Sequence, residues 1–313
     1  LNYPINDIYR NIKQLLNKDL TAWRQREIFP FASEDILEIQ LTSPRGHLRL
    51  SKGKEDWRME SRPAEKEGGK TLNKVRGNRG EIANLLGGIV NFRGDDFIDF
   101  KKNQWKQNFG PPLMKLTLKV SKVEREAIFY KDGINPDLVY VLTNDFDPIF
   151  QITDADLRSI DQSFEIYRDR HLVALDFPEQ IQTLKIKRPE GSFSLTKKED
   201  RWWFTKDGVS NTPENGGSPK EVKSERVSQV LTDLYHLRLE TFRDEIKGDT
   251  PETGLKNPQM TLHLQDKNGD SLGQIDFGRI EKDSIYGKST GQPHPFLLKK
   301  SFLEQIPHEK DFF

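Results

Sequence analysis

Two phrases in this 313-residue chain set paired guanidinium groups beside an aromatic ring and a large aliphatic side chain. They are WRQREI at 23–28 and YRDRHL at 167–172. An arginine stays charged at any working pH. Its planar fork fits carboxylates, phosphates and helix-end carbonyls while its stem lies along an aromatic. Trp23, Arg24 and Arg26, with Tyr167, Arg168 and Arg170, could therefore hold an anionic ligand or tie two stretches of backbone together. Position favours the second reading, because each phrase stands where a closing helix hands over to the first strand of a new unit.

No other cluster points to a reaction. The six histidines, His47, His171, His236, His263, His294 and His308, show no H-E-x-x-H or other metal spacing. DKNGD (266–270) lacks the full calcium-loop pattern, and its Asn-Gly marks a tight hairpin turn instead. Gly87-Gly88 is followed by no phosphate-loop lysine and reads as close packing inside a helix. Asp95-Asp96 could serve a carboxylate-dependent hydrolase, but adjacent acids at a helix end are more often only solvated. With no cysteine there is no thiolate chemistry and no disulfide. The 49 basic and 49 acidic side chains balance, so no overall field gathers nucleic acid. The expectation is a chain without catalytic residues, metal or cofactor.

The elements that hold these residues are written twice. The arginine phrases lie 144 residues apart (23 to 167), and from Ile36 onward the offset is 145 (36 to 181). ILEIQLTSPRGHLRLSKGKEDW aligns without a gap on IQTLKIKRPEGSFSLTKKEDRW, which places Trp57 on Trp202. Alternating apolar residues around Pro-x-Gly predict a hairpin with one buried face, lidded by that tryptophan. Ile82, Leu85, Leu86 and Ile89 match Val227, Val230, Leu231 and Leu234 and form one stripe of an amphipathic helix. Further strands follow in the same order, the offset drifting by one or two residues: 114–120 with 260–266, 126–130 with 273–278, 138–143 with 284–289, and 147–152 with 294–299. Each copy ends on a short helix, where Leu157 and Ile160 match Leu303 and Ile306.

The fold class expected is α+β: two tandem, structurally similar repeats. Each has a mostly antiparallel sheet, one main amphipathic helix and a short closing helix. The repeats are placed at 23–166 and 167–313. YPINDI (3–8) echoes DPIFQI (147–152), so residues 1–22 read as the tail of a preceding unit or a linker. The polar segments 61–80 and 206–225 read as long surface loops.

RDRHL (168–172), Trp202, TGLKNP (253–258), IDFG (275–278), IYG (285–287) and PFLL (295–298) together resemble the DUF4340 domain of bacterial proteins. The first copy departs at the glycine motif, where FGPP (109–112) stands in place of G-L-x-x-P. The resemblance implies repeats held outside the cytoplasm, in the periplasm, by an N-terminal inner-membrane anchor that would precede this chain. It also implies company with ABC-transporter-like components such as those of gliding-motility systems, and it carries no catalytic residues.

The leading functional expectation is a non-enzymatic scaffold or adaptor whose partner is a membrane-protein complex. The alternative is an envelope glycan or peptidoglycan module using exposed aromatics such as Trp105 and Trp203, and a weaker one is a hydrolase. The sequence does not give the oligomeric state.

Overall fold

The computed structural model describes residues 24–54, 56–64, 71–98, 109–144, 148–207, 219–246 and 250–313. The chain divides into two compact units, Leu1–Asp169 and Arg170–Phe313.

In the first unit, strands β1 (Ile36–Ser43), β2 (Gly46–Lys52), β3 (Trp57–Pro63) and β4 (Leu72–Arg76) run as an antiparallel ribbon. Helix α1 (Arg79–Val90) carries the chain to β5 (Asp96–Ile98). Strands β6 (Met114–Val120), β7 (Val123–Lys131), β8 (Leu138–Thr143) and β9 (Ile149–Thr153) follow, and α2 (Asp154–Ile160) closes the unit. They form one nine-stranded sheet in the order β4-β3-β2-β1-β6-β7-β8-β9-β5.

The second unit repeats this plan. Its elements are β10 (Thr183–Arg188), β11 (Gly191–Lys198), β12 (Arg201–Lys206), β13 (Lys220–Val222), α3 (Ser224–His236), β14 (Thr241–Phe242), β15 (Met260–Gln265), β16 (Ser271–Glu281), β17 (Ser284–Ser289), β18 (Gln292–Lys299) and α4 (Ser301–Gln305). The strand order, β13-β12-β11-β10-β15-β16-β17-β18-β14, is the same permutation. The structure is therefore the α+β fold of two similar repeats that the aligned apolar positions describe.

Local chemistry explains the register. Pro44-Arg45 and Pro189-Glu190 turn the first hairpin of each unit, so Ser43 pairs with Gly46 and Arg188 with Gly191. Both glycines take positive φ, at 124° and 155°, where a side chain is disfavoured. Asp266 accepts from the backbone N–H groups of Asn268 (2.8 Å) and Asp270 (2.9 Å), with Gly269 at φ 85°, so DKNGD is a turn. Ile82, Leu85, Leu86 and Ile89 on α1, and Val227, Val230, Leu231 and Leu234 on α3, are buried in their units' cores. The Asn78 side chain caps α1 by accepting from Gly80 and Glu81, and Thr153 caps α2 through a reciprocal box with Asp156.

Two readings change. The segments taken for loops contain edge strands: Leu72 and Val75 on β4 and Val222 on β13 are buried. Apolar residues this sparse among charges do not produce a visible alternation. Residues 65–70 and 208–218 of those segments lie outside the described residues. The glycine pair in α1 is not required by packing either. A Cβ at Gly87 would meet nothing within 4 Å, and one at Gly88 only Ile160 at 3.9 Å. Gly87→Ala is accordingly expected to stabilise the first unit by about 1 kcal/mol, the helix-propensity difference, as a higher urea midpoint at unchanged slope.

Candidate functional site

The second arginine of each phrase does the same work in its own unit. Arg26 Nη1 donates to the Asp95 carbonyl at 2.8 Å, and Arg170 Nη1 donates to the Glu240 carbonyl at 2.8 Å. These carbonyls are repeat equivalents, just beyond the main helix. Backbone pairing reinforces the contact: Gly94 N–H donates to Arg26 and Leu239 N–H to Arg170. The aromatic beneath the guanidinium is equivalent as well, but a different arginine covers it. Arg24 lies 5.6 Å from the Phe97 ring centroid, whereas Arg170 itself lies 5.5 Å from that of Phe242.

Arg168 goes elsewhere. It is 1% exposed and pairs in β-bridge fashion with Gly77. On either side of it, Asn78 N–H donates to Tyr167 and Asp169 N–H to Arg76. Asp169 also forms an ion pair with Arg76, and both side chains are buried. Tyr167–Asp169 thus lengthens the edge of the first sheet. The sequence reading starts the second repeat at Tyr167, while the compact units divide after Asp169. Burial, followed by the carboxylates of Glu81 and Asp161, pushes the Tyr167 phenol up to about 12. Its counterpart Phe312 is likewise buried, and its carbonyl accepts from Lys223 N–H.

Trp57 and Trp202 occupy matching positions at the head of the third strand, opposite Lys52 and Lys197. Trp57 is partly buried against the first core and Trp202 is fully buried in the second. Trp203 points to the other face of its sheet, half-buried between Thr196 and Glu221 on the flanking strands. Trp23 and Trp105 lie outside the described residues.

The glycine motifs converge in one corner of the second unit. Gly254, at φ 67°, brings the chain so close that an added Cβ would lie 2.9 Å from Arg279 N. Thr253, fully buried, accepts from Arg279 N–H at 2.6 Å with its carbonyl, and a Cβ on Gly278 would collide with that same oxygen. Gln259 donates to the Gly278 carbonyl, and Gly287 lies flat under the Phe296 ring. TGLKNP and IDFG thus meet backbone on backbone, while IYG and PFLL lie on the paired strands that follow, where the Phe296 ring covers Gly287. In the first unit Phe109 of FGPP covers the outer sheet face, stacking on Tyr130 at 4.8 Å and leaning on Tyr140 at 5.4 Å.

Each unit also carries a tyrosine–carboxylate pair beside the same hairpin. Tyr140 donates to Asp132 at 2.6 Å, and Tyr286 to Glu281 at 2.7 Å. Burial and then the Asp132 hydrogen bond push the Tyr140 phenol up to about 12. Asp132 also accepts from the Ile134 and Asn135 N–H groups and is held below the usual range. These groups fix a turn. Asp96 accepts from Phe97 N–H, and Asp95 presents its carbonyl to Arg26, so the adjacent acids serve local structure.

Among the described residues a hollow opens in each unit. One of about 240 Å³ lies on the first sheet between Thr42, Arg49 and Arg62. At its side burial alone would raise the Glu38 carboxyl, but hydrogen bonds from Arg49 and Gln40 outweigh it and hold it low. The other, of about 560 Å³, lies in the second unit beside the Pro189-Glu190 turn. Among the described residues, no three metal-ligating side chains gather and no helix is long and apolar enough to cross a membrane.

Residues 108–258 match the family model described as Domain of unknown function (DUF4340), and no curated protein matches the chain. The matched span is about one repeat long but out of step with the compact units. It enters the first just before β6 and leaves the second at the end of TGLKNP. It contains the second arginine phrase, Trp202 and α3. The resemblance to the DUF4340 family therefore holds over residues 108–258, which end one repeat and build most of the next.

Proposed function

We propose that the protein is a non-enzymatic extracytoplasmic adaptor that accompanies an ABC-transporter-like or motility-like membrane complex, held at the inner membrane by an N-terminal anchor. One observation carries this reading: the conspicuous side chains are committed to cohesion. Arg26 and Arg170 hold backbone carbonyls, Arg168 is buried, and the glycine motifs close on one another. Each unit keeps a broad sheet face with mixed polar side chains, such as Gln40, Arg62 and Lys119 on the first. Such a face suits protein partners through charge complementarity.

A glycan module would call for an exposed aromatic platform. Trp203 is half-buried, and its counterpart in the first unit is Arg58, which disfavours that alternative. The test is a photo-crosslinker at Gln40 of the full-length protein in cells. Capture of an integral membrane protein, lost with Arg62→Glu and Lys119→Glu together, is the expected result. Cell-wall material as the main captured species, or capture indifferent to the charge reversal, would overturn the adaptor.

A further inference from the structure

The hollow in the second unit is lined mostly by residues that differ from their repeat equivalents in the first. Phe164 opens the closing 3-10 turn of the first unit and is buried in its core. The matching residue of the turn Glu309–Phe312 is Glu309, which lies in the wall of the hollow. Gly46 shows the same contrast. A Cβ there would run into the backbone of Arg62–Ala64, because the third strand crosses it and Ala64 N–H bonds Arg45 at 2.7 Å. At Gly191 no described residue lies within 4 Å of that position. The second unit thus carries a carboxylate where the first has a buried ring, and a hollow of about 560 Å³ stands there, within the range of small-molecule pockets.

Its wall is chemically two-sided. Phe193 and Phe313 supply rings, and Arg188, Lys206 and Lys310 supply cations against the carboxylates Glu190 and Glu309. Lys206 and Glu309 neutralise each other at 3.0 Å. Arg188 is half-buried and donates to the carbonyls of Ile306 (3.0 Å) and Pro307 (3.2 Å). Among the described residues no carboxylate stands within ion-pair distance of it. Glu190 and Asp311 act on it only from farther away. Among the lining side chains, three cations thus stand with two carboxylates beside aromatic surface.

We propose that this hollow binds a small monocarboxylate bearing an aromatic or aliphatic group, with the carboxylate toward Arg188 and Lys310 and the apolar part on Phe193 and Phe313. This goes beyond the adaptor reading and does not depend on it.

The test titrates 3-phenylpropionate, with 3-phenylpropanol as the uncharged control, into the ¹⁵N-labelled full chain. Shifts at the amides of Gly191, Ser192, Lys206 and Lys310 are expected, saturating at about millimolar concentration as befits so small a ligand. The alcohol should bind about threefold more weakly, the worth of an exposed ion pair. Glu309→Phe copies the first unit's own plug and should lower affinity by about tenfold or more while the rest of the spectrum stays put. Lys310→Glu, on an exposed residue, should cost about threefold and carries the test if Glu309→Phe fails to fold. The proposal is overturned by no saturable shifts at these amides, by the alcohol binding as well as the acid, or by unchanged binding in either folded variant.

Discussion

Asp169→Ala is expected to destabilise the first unit by about 3–5 kcal/mol, the cost of stripping one partner from a buried ion pair. Asp169 and Arg76 are paired with side chains only 10% and 6% exposed, and the backbone bond from Asp169 N–H to the Arg76 carbonyl (3.0 Å) fixes their register. Removing the carboxylate leaves a guanidinium in a site where solvent reaches it poorly. The adjacent Arg168, also buried, adds a second positive charge to the same corner. The measurement is a urea titration followed by amide exchange of β3 and β4. A second variant separates the value of the pair from the cost of breaking it. With Arg76→Met and Asp169→Leu together neither charge of the pair is left, and stability should return to within about 1 kcal/mol of the parent or exceed it. A single variant that loses less than about 1 kcal/mol would mean that water already reaches this corner.

This ion pair also marks how far the sequence could be read. The repeat was legible because buried positions recur at fixed spacing. Ile39, Leu41, Leu48 and Leu50 alternate on one face, as do Leu184, Ile186, Phe193 and Leu195, and both sets are in the cores. The helix stripes were legible for the same reason, since a 3.6-residue period in apolar side chains survives any change in the polar ones.

Edge strands were not, because β13 buries one residue in three positions and has no period to detect. The destination of Arg168 was hidden too. Arg168 and Arg170 look like a matched pair, yet Arg168 bridges to Gly77 in the first unit and Arg170 bonds Glu240 in the second. Only a register between residues about ninety apart decides that, and no local spacing encodes it. The hollow was invisible for a related reason. In its wall Glu309 stands where Phe164 stands in the first unit, and a charged residue at an aligned position reads as surface.

Gly278→Ala is expected to cost the second unit about 3 kcal/mol or more, at or beyond the upper end of ordinary overpacking. The reason lies in what the methyl group would meet. At most core positions an extra carbon presses on a side chain that can turn to another rotamer. At Gly278 it would meet the Thr253 carbonyl oxygen and, at 3.1 Å, Gly254 C and Leu255 N, all of them backbone. The Thr253 oxygen is already engaged by Arg279 N–H at 2.6 Å, and Gly254 is pinned at φ 67°, so the segment cannot retreat without losing that bond. Its neighbour Leu255 would be lifted from the outer sheet face, where it is 5% exposed.

Gly133→Ala is the control. It lies at the corresponding hairpin of the first unit, has nothing within 4 Å of its Cβ position, and should change stability by no more than about 0.5 kcal/mol. Hydrogen exchange at the amides of β15 and β16 reads the difference directly. If Gly278→Ala protects those amides as well as the parent does, the TGLKNP–IDFG contact is a loose apposition. The glycines that mark the family motif would then need a reason other than packing.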